Sequence, residues 1–264
     1  MDVEITFYLA EGVKKFLAIG SNYFIGIVND TTVLKYPHVR DDTASLAALS
    51  VEARILKAIG PHHRIIGFKG ETSSGLLLEL APNGSVQQYL SGNKPTIQQR
   101  LRWSSQAAEA TAVVHKKNVI HRDIHVRNLL LDAELNIKLC DFQGRLLGPD
   151  GNTEREGGSC ENVKSSMPQT DPNIANQRTD IFALGSAIYY ILEGHEPFPE
   201  LDCVLDEEEI TWRFASGQFP ELQPFVLRSI IHKCWRGEYG SAENVMKDIG
   251  LCENDLANSS LKRR

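Results

Sequence analysis

The sequence has few cysteines, and they follow no recognisable pattern. Five are spread over 264 residues, at positions 140, 160, 203, 234 and 252. An odd number of cysteines without a CxxC or a Cys/His cluster argues against a disulfide framework and against a zinc site. We therefore expect a protein from a reducing compartment.

A surplus of positive charge is also absent, as is an apolar run long enough to cross a membrane. The chain has 28 Lys and Arg against 34 Asp and Glu, a net charge of −6, which argues against a general nucleic-acid binder. The longest uncharged apolar run, residues 182–192, is much shorter than the roughly 20 residues that span a bilayer. The opening MDVEIT lacks the basic region of a signal peptide. These absences predict an intracellular, cytoplasmic protein with no transmembrane segment and no nucleic-acid partner.

The first third of the chain is rich in short apolar runs that are typical of strands. Residues 24–28 and 32–36 are separated by Asn29-Asp30-Thr31, which predicts a β-hairpin. Residues 44–59 have helical spacing that ends at Gly60-Pro61. Further short strands are predicted at 16–19, 65–68 and 75–80.

After a turn-forming stretch at residues 81–84, helical patterns dominate. Helices are predicted at 96–117, 179–193, 207–215, 225–235 and 242–249, with short strands near 119, 129–131 and 137–139. Residues 144–176 have little periodicity, and so long a loop is usually functional.

These elements predict an α+β fold of two lobes in one domain over residues 1–264. The β-rich N-terminal lobe covers about 1–80 and contains one key helix, and a hinge lies at about 79–84. A larger, mainly helical C-terminal lobe covers about 85–250, and a tail at 251–264 is frayed from residue 253. A cleft between two lobes is a favoured place for a ligand.

The most informative segment is residues 119–142, VIHRDIHVRNLLLDAELNIKLCDF. It contains His121-Arg122-Asp123, then Asn128 five residues after the Asp, and Asp141 eighteen residues after it. Here the chain resembles the protein-kinase family, over nearly its whole length. The resemblance implies that Asp123 accepts the proton of the substrate hydroxyl, and that Asn128 and Asp141 hold magnesium on the phosphates of ATP.

Two residues of the first lobe extend the resemblance. Lys35, in Val33-Leu34-Lys35, stands where the family carries a lysine that grips phosphate, and Glu52 matches the helix glutamate that pairs with it. Taken alone, Lys35 would be a solvated strand lysine and Glu52 a surface charge. Together with the catalytic segment they predict an ion pair.

The segment Leu78-Glu79-Leu80-Ala81 resembles the family's hinge. The resemblance implies that backbone groups near Glu79 and Ala81 bind adenine, with Leu78 as gatekeeper. Asp180 resembles the buried aspartate that supports the catalytic loop, and Cys234-Trp235 is similar to a pair in tyrosine kinases and tyrosine-kinase-like kinases.

The glycine-rich loop departs from the family pattern G-x-G-x-x-G-x-V. Gly20 fits, Asn22 replaces the second glycine, and the third is either replaced by Ile25 or displaced to Gly26. The nucleotide contacts implied by the resemblance are Gly20, Asn22, Gly26, Val28, Val33, Lys35, Glu79, Ala81, Asn128 and Asp141.

Three further departures concern the chemistry. Gln143 stands where the metal loop usually has glycine, which restricts its backbone. His125 replaces the lysine of Ser/Thr kinases, and Arg127 would supply that cation, as in tyrosine kinases. Met167-Pro168-Gln169 replaces the family's A-P-E.

The resemblance implies an ATP-dependent protein kinase that uses Mg²⁺ and acts on a protein hydroxyl, Ser or Thr in preference to Tyr. Arg122 also suggests control by a phosphorylated activation segment. Two alternatives stay open: a pseudokinase or scaffold that binds nucleotide without turnover, indicated by the altered glycine loop and Gln143, and a small-molecule phosphotransferase, indicated by His125. The candidate phosphorylation sites are Thr153, Ser159, Ser165 and Ser166.

Overall fold

The computed structural model describes residues 8–171, 173–222 and 227–261, with no side chains described after residue 253. Its N-terminal part is an antiparallel sheet of five strands in the order β1-β2-β3-β5-β4, packed on one helix, α1. The elements of this part are β1 (Lys15–Ile19), β2 (Tyr23–Asn29), β3 (Thr32–Pro37), α1 (Thr43–Ile59), β4 (Phe68–Thr72) and β5 (Gly75–Glu79). The chain thus has the predicted β-rich lobe with one helix.

The β2–β3 hairpin determines which side chains face the second lobe. Ile25 pairs with Lys35, and Gly26 pairs with Leu34. Since alternate residues of a strand point to opposite faces, Ile25 and Lys35 share one face, and Gly26 and Leu34 share the other. The second face is covered by a small apolar cluster of Ala10, Phe24, Leu34 and Tyr36.

Helix α1 follows from its capping and its apolar spacing. The Asp42 side chain accepts a hydrogen bond from the backbone N–H of Ala44, and Gly60 ends the helix with a positive φ. Leu49, Ala53 and Leu56 are buried against the sheet and the core, and they bury Glu52 with them. Helix α1 thus places the Glu52 carboxylate in the interior, and a fully buried carboxylate requires a partner.

The C-terminal part is mainly helical, and its core lies where α4 packs between α3 and α6. Trp103 of α3 and Phe182 of α4 are both completely buried. The helices are α2 (Val86–Gly92), α3 (Ile97–Lys116), α4 (Gln177–Glu193), α5 (Glu207–Ser216), α6 (Arg228–Trp235) and α7 (Ala242–Leu261). This arrangement confirms the bilobal α+β architecture.

Five short strands between α3 and α4 carry the segments that matter for chemistry. β7 and β8 form a hairpin, and β6, β9 and β10 form a small sheet in the order β10-β9-β6. The strands are β6 (Val119–Ile120), β7 (Leu129–Leu131), β8 (Ile137–Leu139), β9 (Arg145–Leu147) and β10 (Thr153–Glu156).

Several element predictions need correction. Residues 144–176 contain the strands β9 and β10, which sequence periodicity did not indicate because β9 has only three residues and β10 is entirely polar. The strand expected at 65–68 begins at Phe68 instead, and helix α7 continues to Leu261 where a frayed tail was expected from residue 253. The predicted start of a helix at 225 lies outside the described residues, and α6 begins at Arg228. None of the described helices is long and apolar enough to cross a membrane.

Candidate active site

Three charged side chains meet at the boundary between the two lobes. Lys35 Nζ lies 2.6 Å from Glu52 Oε2 and 2.5 Å from Asp141 Oδ1. Lys35 and Glu52 are buried, whereas the Asp141 side chain is 37% exposed and faces the cleft. The structure therefore brings together one residue from the sheet, one from α1 and one from the loop after β8. The Lys35–Glu52 ion pair is the predicted one, and the contact of Lys35 with Asp141 adds to it.

The two carboxylates keep this lysine charged. Burial alone would lower the pKa of Lys35, but Asp141 and Glu52 outweigh it and hold the pKa above its usual range. Burial likewise opposes the charge on Asp141, and Lys35 outweighs it, so the pKa of Asp141 is lowered. At neutral pH Lys35 is consequently an ammonium and Asp141 a carboxylate.

The catalytic segment forms a tight loop around Asp123. Asn128 Nδ2 donates to the Asp123 backbone oxygen at 2.9 Å and to its Oδ2 at 2.8 Å. Arg127, which is about half exposed, approaches Asp123 Oδ1 at 3.4 Å. These contacts orient the Asp123 carboxylate, and they place a half-exposed cation beside it.

Asp180, in the first turn of α4, supports the backbone of this loop by accepting its hydrogen bonds. Its two carboxylate oxygens accept the backbone N–H groups of His121 at 2.8 Å and of Arg122 at 2.9 Å, and His115 Nε2 lies 2.9 Å from Oδ2. Arg122 has a φ of 64°, a strained conformation for a non-glycine residue. The buried carboxylate offsets that strain, which confirms the supporting contact predicted for Asp180.

The β7–β8 hairpin brings the two predicted metal ligands to neighbouring positions. Leu129 pairs with Leu139, and the backbone N–H of Cys140 donates to the Asn128 oxygen at 3.0 Å. Because Asn128 Nδ2 is engaged by Asp123, its amide oxygen is the atom left for a ligand. An amide oxygen and a carboxylate are the donors that Mg²⁺ prefers, so Asn128 and Asp141 fit the ion that the family uses.

The predicted hinge joins β5 to the turn at residues 81–84. Leu78 pairs with Val33 on the sheet face that carries Lys35, and both are buried. Glu79 directs its side chain away from the cleft, since it accepts from the Gly67 N–H at 2.9 Å and pairs with Lys138 at 3.0 Å. The Glu79 N–H also donates to the Gly67 oxygen at 2.7 Å, so the backbone group of Glu79 that could meet adenine, as the resemblance implied, is its carbonyl.

The glycine loop is where the structure departs most from the expectation. β1 and β2 are joined by a tight turn at Ser21-Asn22, closed by a hydrogen bond from Gly20 N–H to the Tyr23 oxygen at 2.8 Å. Gly20 and Asn22 thus lie at the hairpin tip, without the extended loop that wraps phosphates.

Gly26 and Val28 were predicted to contact nucleotide, and this placement is wrong. The register puts Gly26 on the face opposite to Lys35, where a Cβ would lie only 2.4 Å from a Val13 methyl group. Val28 packs against the apolar cluster on that same face. Gly26 is a glycine because Val13 occupies the space above it, and the residues that share the face of Lys35 are Ile25 and Ile27.

Tyr23 covers the buried lysine in a way that the motifs did not indicate. Its ring centroid lies 4.9 Å from Lys35 Nζ, and its hydroxyl donates to the Ser45 oxygen of α1 at 3.3 Å. Gln143 lies beside it and donates from Nε2 to Glu52 Oε2 at 3.4 Å. Gln143 thus provides a contact to α1 that a glycine in its place would lack.

We expect the Gln143→Gly variant to fold and to keep its affinity for Mg-ATP, because Lys35 and Asp141 remain. Loss of one side-chain hydrogen bond and the added backbone freedom should lower the free energy of unfolding by about 1–2 kcal/mol. Thermal melting and a Mg-ATP titration measure both quantities. Complete loss of nucleotide binding would contradict this expectation and give Gln143 a direct role.

His125 does not face the predicted acceptor site. It is buried, and its Nε2 donates to Glu196 Oε1 at 3.2 Å, while Lys164 Nζ lies 3.8 Å from the other oxygen of Glu196. The hydrogen bond from His125 lowers the pKa of Glu196. His125 thus connects the catalytic loop to the segment after α4. The sequence did not indicate this role, because Glu196 is distant from His125 in the chain.

This geometry of Lys35, Glu52, Asp123, Asn128 and Asp141 agrees with a comparison of the sequence with known families. A family model described as protein tyrosine and serine/threonine kinase matches residues 28–243. The chain belongs to the protein kinase family. The match begins at Val28, near the end of β2, and covers the sheet from β3 onwards, both loops of the cleft and the helices as far as the start of α7.

Curated relatives are similar at low identity. The kinase domain is 29% identical over 193 residues to Fer-related kinase 1 of Caenorhabditis elegans, covering 70% of this chain and 48% of that protein. It is 25% identical over 234 residues to the serine/threonine-protein kinase PKH1 of Saccharomyces cerevisiae, covering 80% of this chain and 29% of that protein. It is 29% identical over 186 residues to the serine/threonine-protein kinase STE11 of the same yeast, covering 66% of this chain and 25% of that protein. The chain thus spans less than half the length of each of these relatives.

A second group of polar side chains lies outside the cleft. Ligand atoms of His62, His63 and Glu109 lie within 4.8 Å of one another. Arg64 Nε, however, donates to Glu109 at 2.6 Å and His63 lies 3.1 Å from it, so that carboxylate is already neutralised. We do not assign a metal to this group.

Proposed function

We propose that this kinase domain transfers the γ-phosphoryl group of Mg-ATP to a hydroxyl of a protein substrate, Ser or Thr in preference to Tyr. The observation that carries the proposal is the assembled pair Lys35–Glu52, with Asp141 on the same lysine and Asp123 held by Asn128 across the cleft. The preference for Ser or Thr is supported by two relatives described as serine/threonine-protein kinases. We further propose that residues 1–264 form a single domain with its hinge at 79–84.

The chain's own residues divide the work between binding and proton transfer. Lys35 would bind phosphate oxygens, with Glu52 fixing its position. Asp123 would accept the proton of the attacking hydroxyl as the new P–O bond forms and the bond to the leaving ADP oxygen breaks. Magnesium, held by Asn128 and Asp141, would neutralise the charge on the phosphates.

Arg127 would contribute the positive charge that a lysine provides in other members of the family. Its guanidinium already contacts Asp123 and remains about half exposed, so it can reach an acceptor phosphate without leaving the loop. Since Arg is always charged and donates in a planar fork, it suits a phosphoryl group.

A pseudokinase that binds nucleotide without turnover remains the second candidate. It is favoured by the short β1–β2 turn and by the Tyr23 ring over Lys35, because both reduce the surface that would enclose a triphosphate. The third alternative, a small-molecule phosphotransferase, was indicated by His125. We do not favour it, because the ring nitrogen of His125 is engaged by Glu196.

Nucleotide binding tests the assignment of Lys35. We expect Lys35→Met to weaken Mg-ATP binding by about tenfold to a hundredfold, since a charge-assisted hydrogen bond contributes roughly 1.5–3 kcal/mol. Isothermal titration calorimetry measures the change, and Lys69→Met, which removes an exposed lysine of the same sheet, serves as the control.

Thermal melting of the Lys35→Met protein establishes that it is folded, because this variant leaves the Glu52 carboxylate buried without its cation. If the folded variant binds Mg-ATP as tightly as the wild type, the nucleotide does not contact Lys35, and the proposed site is wrong.

A further inference from the structure

Residues 141–169, from the metal loop to Met167-Pro168-Gln169, are called the activation segment here, and one of its carboxylates holds the arginine that precedes Asp123. Arg122 Nη1 donates to Glu156 Oε1, and Arg145 Nε donates to the same oxygen at 2.7 Å. The Arg122 side chain is 90% buried, and the Glu156 side chain is 38% exposed. Among the described residues, Arg122 Nε has no hydrogen-bond partner, and Glu156 is the carboxylate that this guanidinium contacts through Nη1.

The strands place this ion pair at a junction between the activation segment and the catalytic loop. Glu156 pairs with Arg145 across β10 and β9, and Arg145 pairs with Ile120 of β6. Ile120 lies two residues before Arg122 in the sequence. Glu156 is therefore connected to the catalytic loop both through the backbone ladder and through its side chain.

The residues that follow Glu156 continue along the metal loop. The Gly157 N–H donates to the Gly144 oxygen at 3.0 Å, and the Ser159 N–H donates to the Gln143 oxygen at 2.9 Å. A Cβ on Gly157 would lie 2.8 Å from the Gln143 oxygen, so only glycine permits this approach. The first half of the activation segment is thus ordered by contacts that require no added group.

In kinases that are switched by phosphorylation, a phosphate orders this segment by pairing with arginine. A phosphate adds up to two negative charges and three acceptor oxygens. Here a carboxylate encoded in the sequence already meets two arginines. Of the candidate phosphorylation sites, Ser165 is buried, and Thr153 lies exposed on the same strand as Glu156.

We propose that Glu156 is a positioning residue that holds the activation segment on Arg122 in place of an added phosphate, so that the domain is assembled without phosphorylation of that segment. The inference rests on the proposed function for its consequence in catalysis. The ordering of the segment itself can be measured without any turnover.

The experiment compares dephosphorylated wild type with Glu156→Gln, Glu156→Asp and Glu154→Gln. Glu154 is an exposed glutamate on the same strand and provides a matched control. Hydrogen exchange of residues 145–159 reports order, and steady-state kinetics with Mg-ATP and a generic protein substrate report kcat and KM separately. Phosphatase treatment, verified by mass spectrometry, defines the unmodified state.

We expect phosphatase treatment to change neither readout in the wild type. Glu156→Gln should raise hydrogen exchange in residues 145–159 at least tenfold and lower kcat about tenfold with the KM for ATP unchanged, because it removes a charged acceptor shared by two arginines. In Glu156→Asp, both the hydrogen exchange and kcat should lie between those of Glu156→Gln and those of the wild type. Glu154→Gln should resemble the wild type in both.

Two results would overturn the proposal: exchange in Glu156→Gln equal to that of Glu154→Gln, or disorder of the wild-type segment after phosphatase treatment. Failure of the proposed function looks different. In that case neither the wild type nor any of the three variants transfers phosphate to the substrate, while the hydrogen-exchange measurements still decide whether Glu156 orders the segment.

Discussion

The Asp123→Asn variant should lose phosphoryl transfer by roughly 10²- to 10⁴-fold, the usual contribution of a positioned general base. Asparagine keeps the shape of the side chain, and its single amide oxygen can still accept from Asn128 Nδ2, while the contact with the half-exposed Arg127 is lost. It cannot take the proton of the attacking hydroxyl. Affinity for Mg-ATP and the melting temperature should stay within error of the wild type, because Lys35 and Asp141 are untouched.

The measurement uses purified protein, Mg-ATP, a generic protein substrate and, in parallel, a panel of small hydroxyl compounds. Wild type and Asp123→Asn at the same background rate with every acceptor would decide for the pseudokinase. Asp123-dependent transfer to the small compounds alone would contradict the protein-kinase assignment and leave Asp123 as the base.

The second large effect concerns stability. Asp180→Ala should lower the free energy of unfolding by about 3 kcal/mol or more, since it leaves the N–H groups of His121 and Arg122 buried without an acceptor. For a chain of this size, that loss corresponds to a fall in melting temperature of roughly 6–12 °C. The catalytic loop would also lose the contact that supports the strained backbone at Arg122.

Glu208→Ala is the matched control for this variant. Asp180 and Glu208 both lie in the first turn of a helix, so each substitution removes a carboxylate from a favourable place in the helix dipole, and only Asp180 also accepts loop N–H groups. Equal melting temperatures for the two variants would show that the contacts of Asp180 contribute little beyond that dipole effect.

The fold and the polar groups of the site could be predicted from the sequence because their signals are local. The hairpin of β2 and β3 has its turn in Asn29-Asp30-Thr31, and α1 has its cap and its terminal glycine. Lys35, Asp123, Asn128 and Asp141 stand in motifs whose chemistry dictates the residue type. The structure brings Lys35 to Asp141, which are 106 positions apart in the chain.

The parts that failed depend on register and on side chains distant in sequence. A one-residue change in strand register exchanges the two faces of a sheet. The glycine pattern alone could therefore not show that Gly26 lies on the face of the sheet that does not carry Lys35. Glu156 and Glu196 lie in segments without a strong pattern, and their roles depend on Arg122 and His125, to which no spacing rule connects them. Strand β9 has only three residues, and β10 consists of Thr, Glu and Arg, so hydrophobic periodicity could not reveal them.

The Ser21-Asn22 turn between β1 and β2 bears on how fast nucleotide exchanges. A long loop that closes over a bound triphosphate must open again before the product leaves, and such opening sets the turnover of many enzymes. Here the tip is short, and its backbone is already engaged, with Gly20 bonded to Tyr23 and the His38 N–H bonded to the Asn22 oxygen. Among the described residues, no long loop closes the cleft at this tip. Under the proposed function, we therefore expect ADP to leave without waiting for a loop movement, and the occupancy of the site to follow the surrounding nucleotide concentration with little delay.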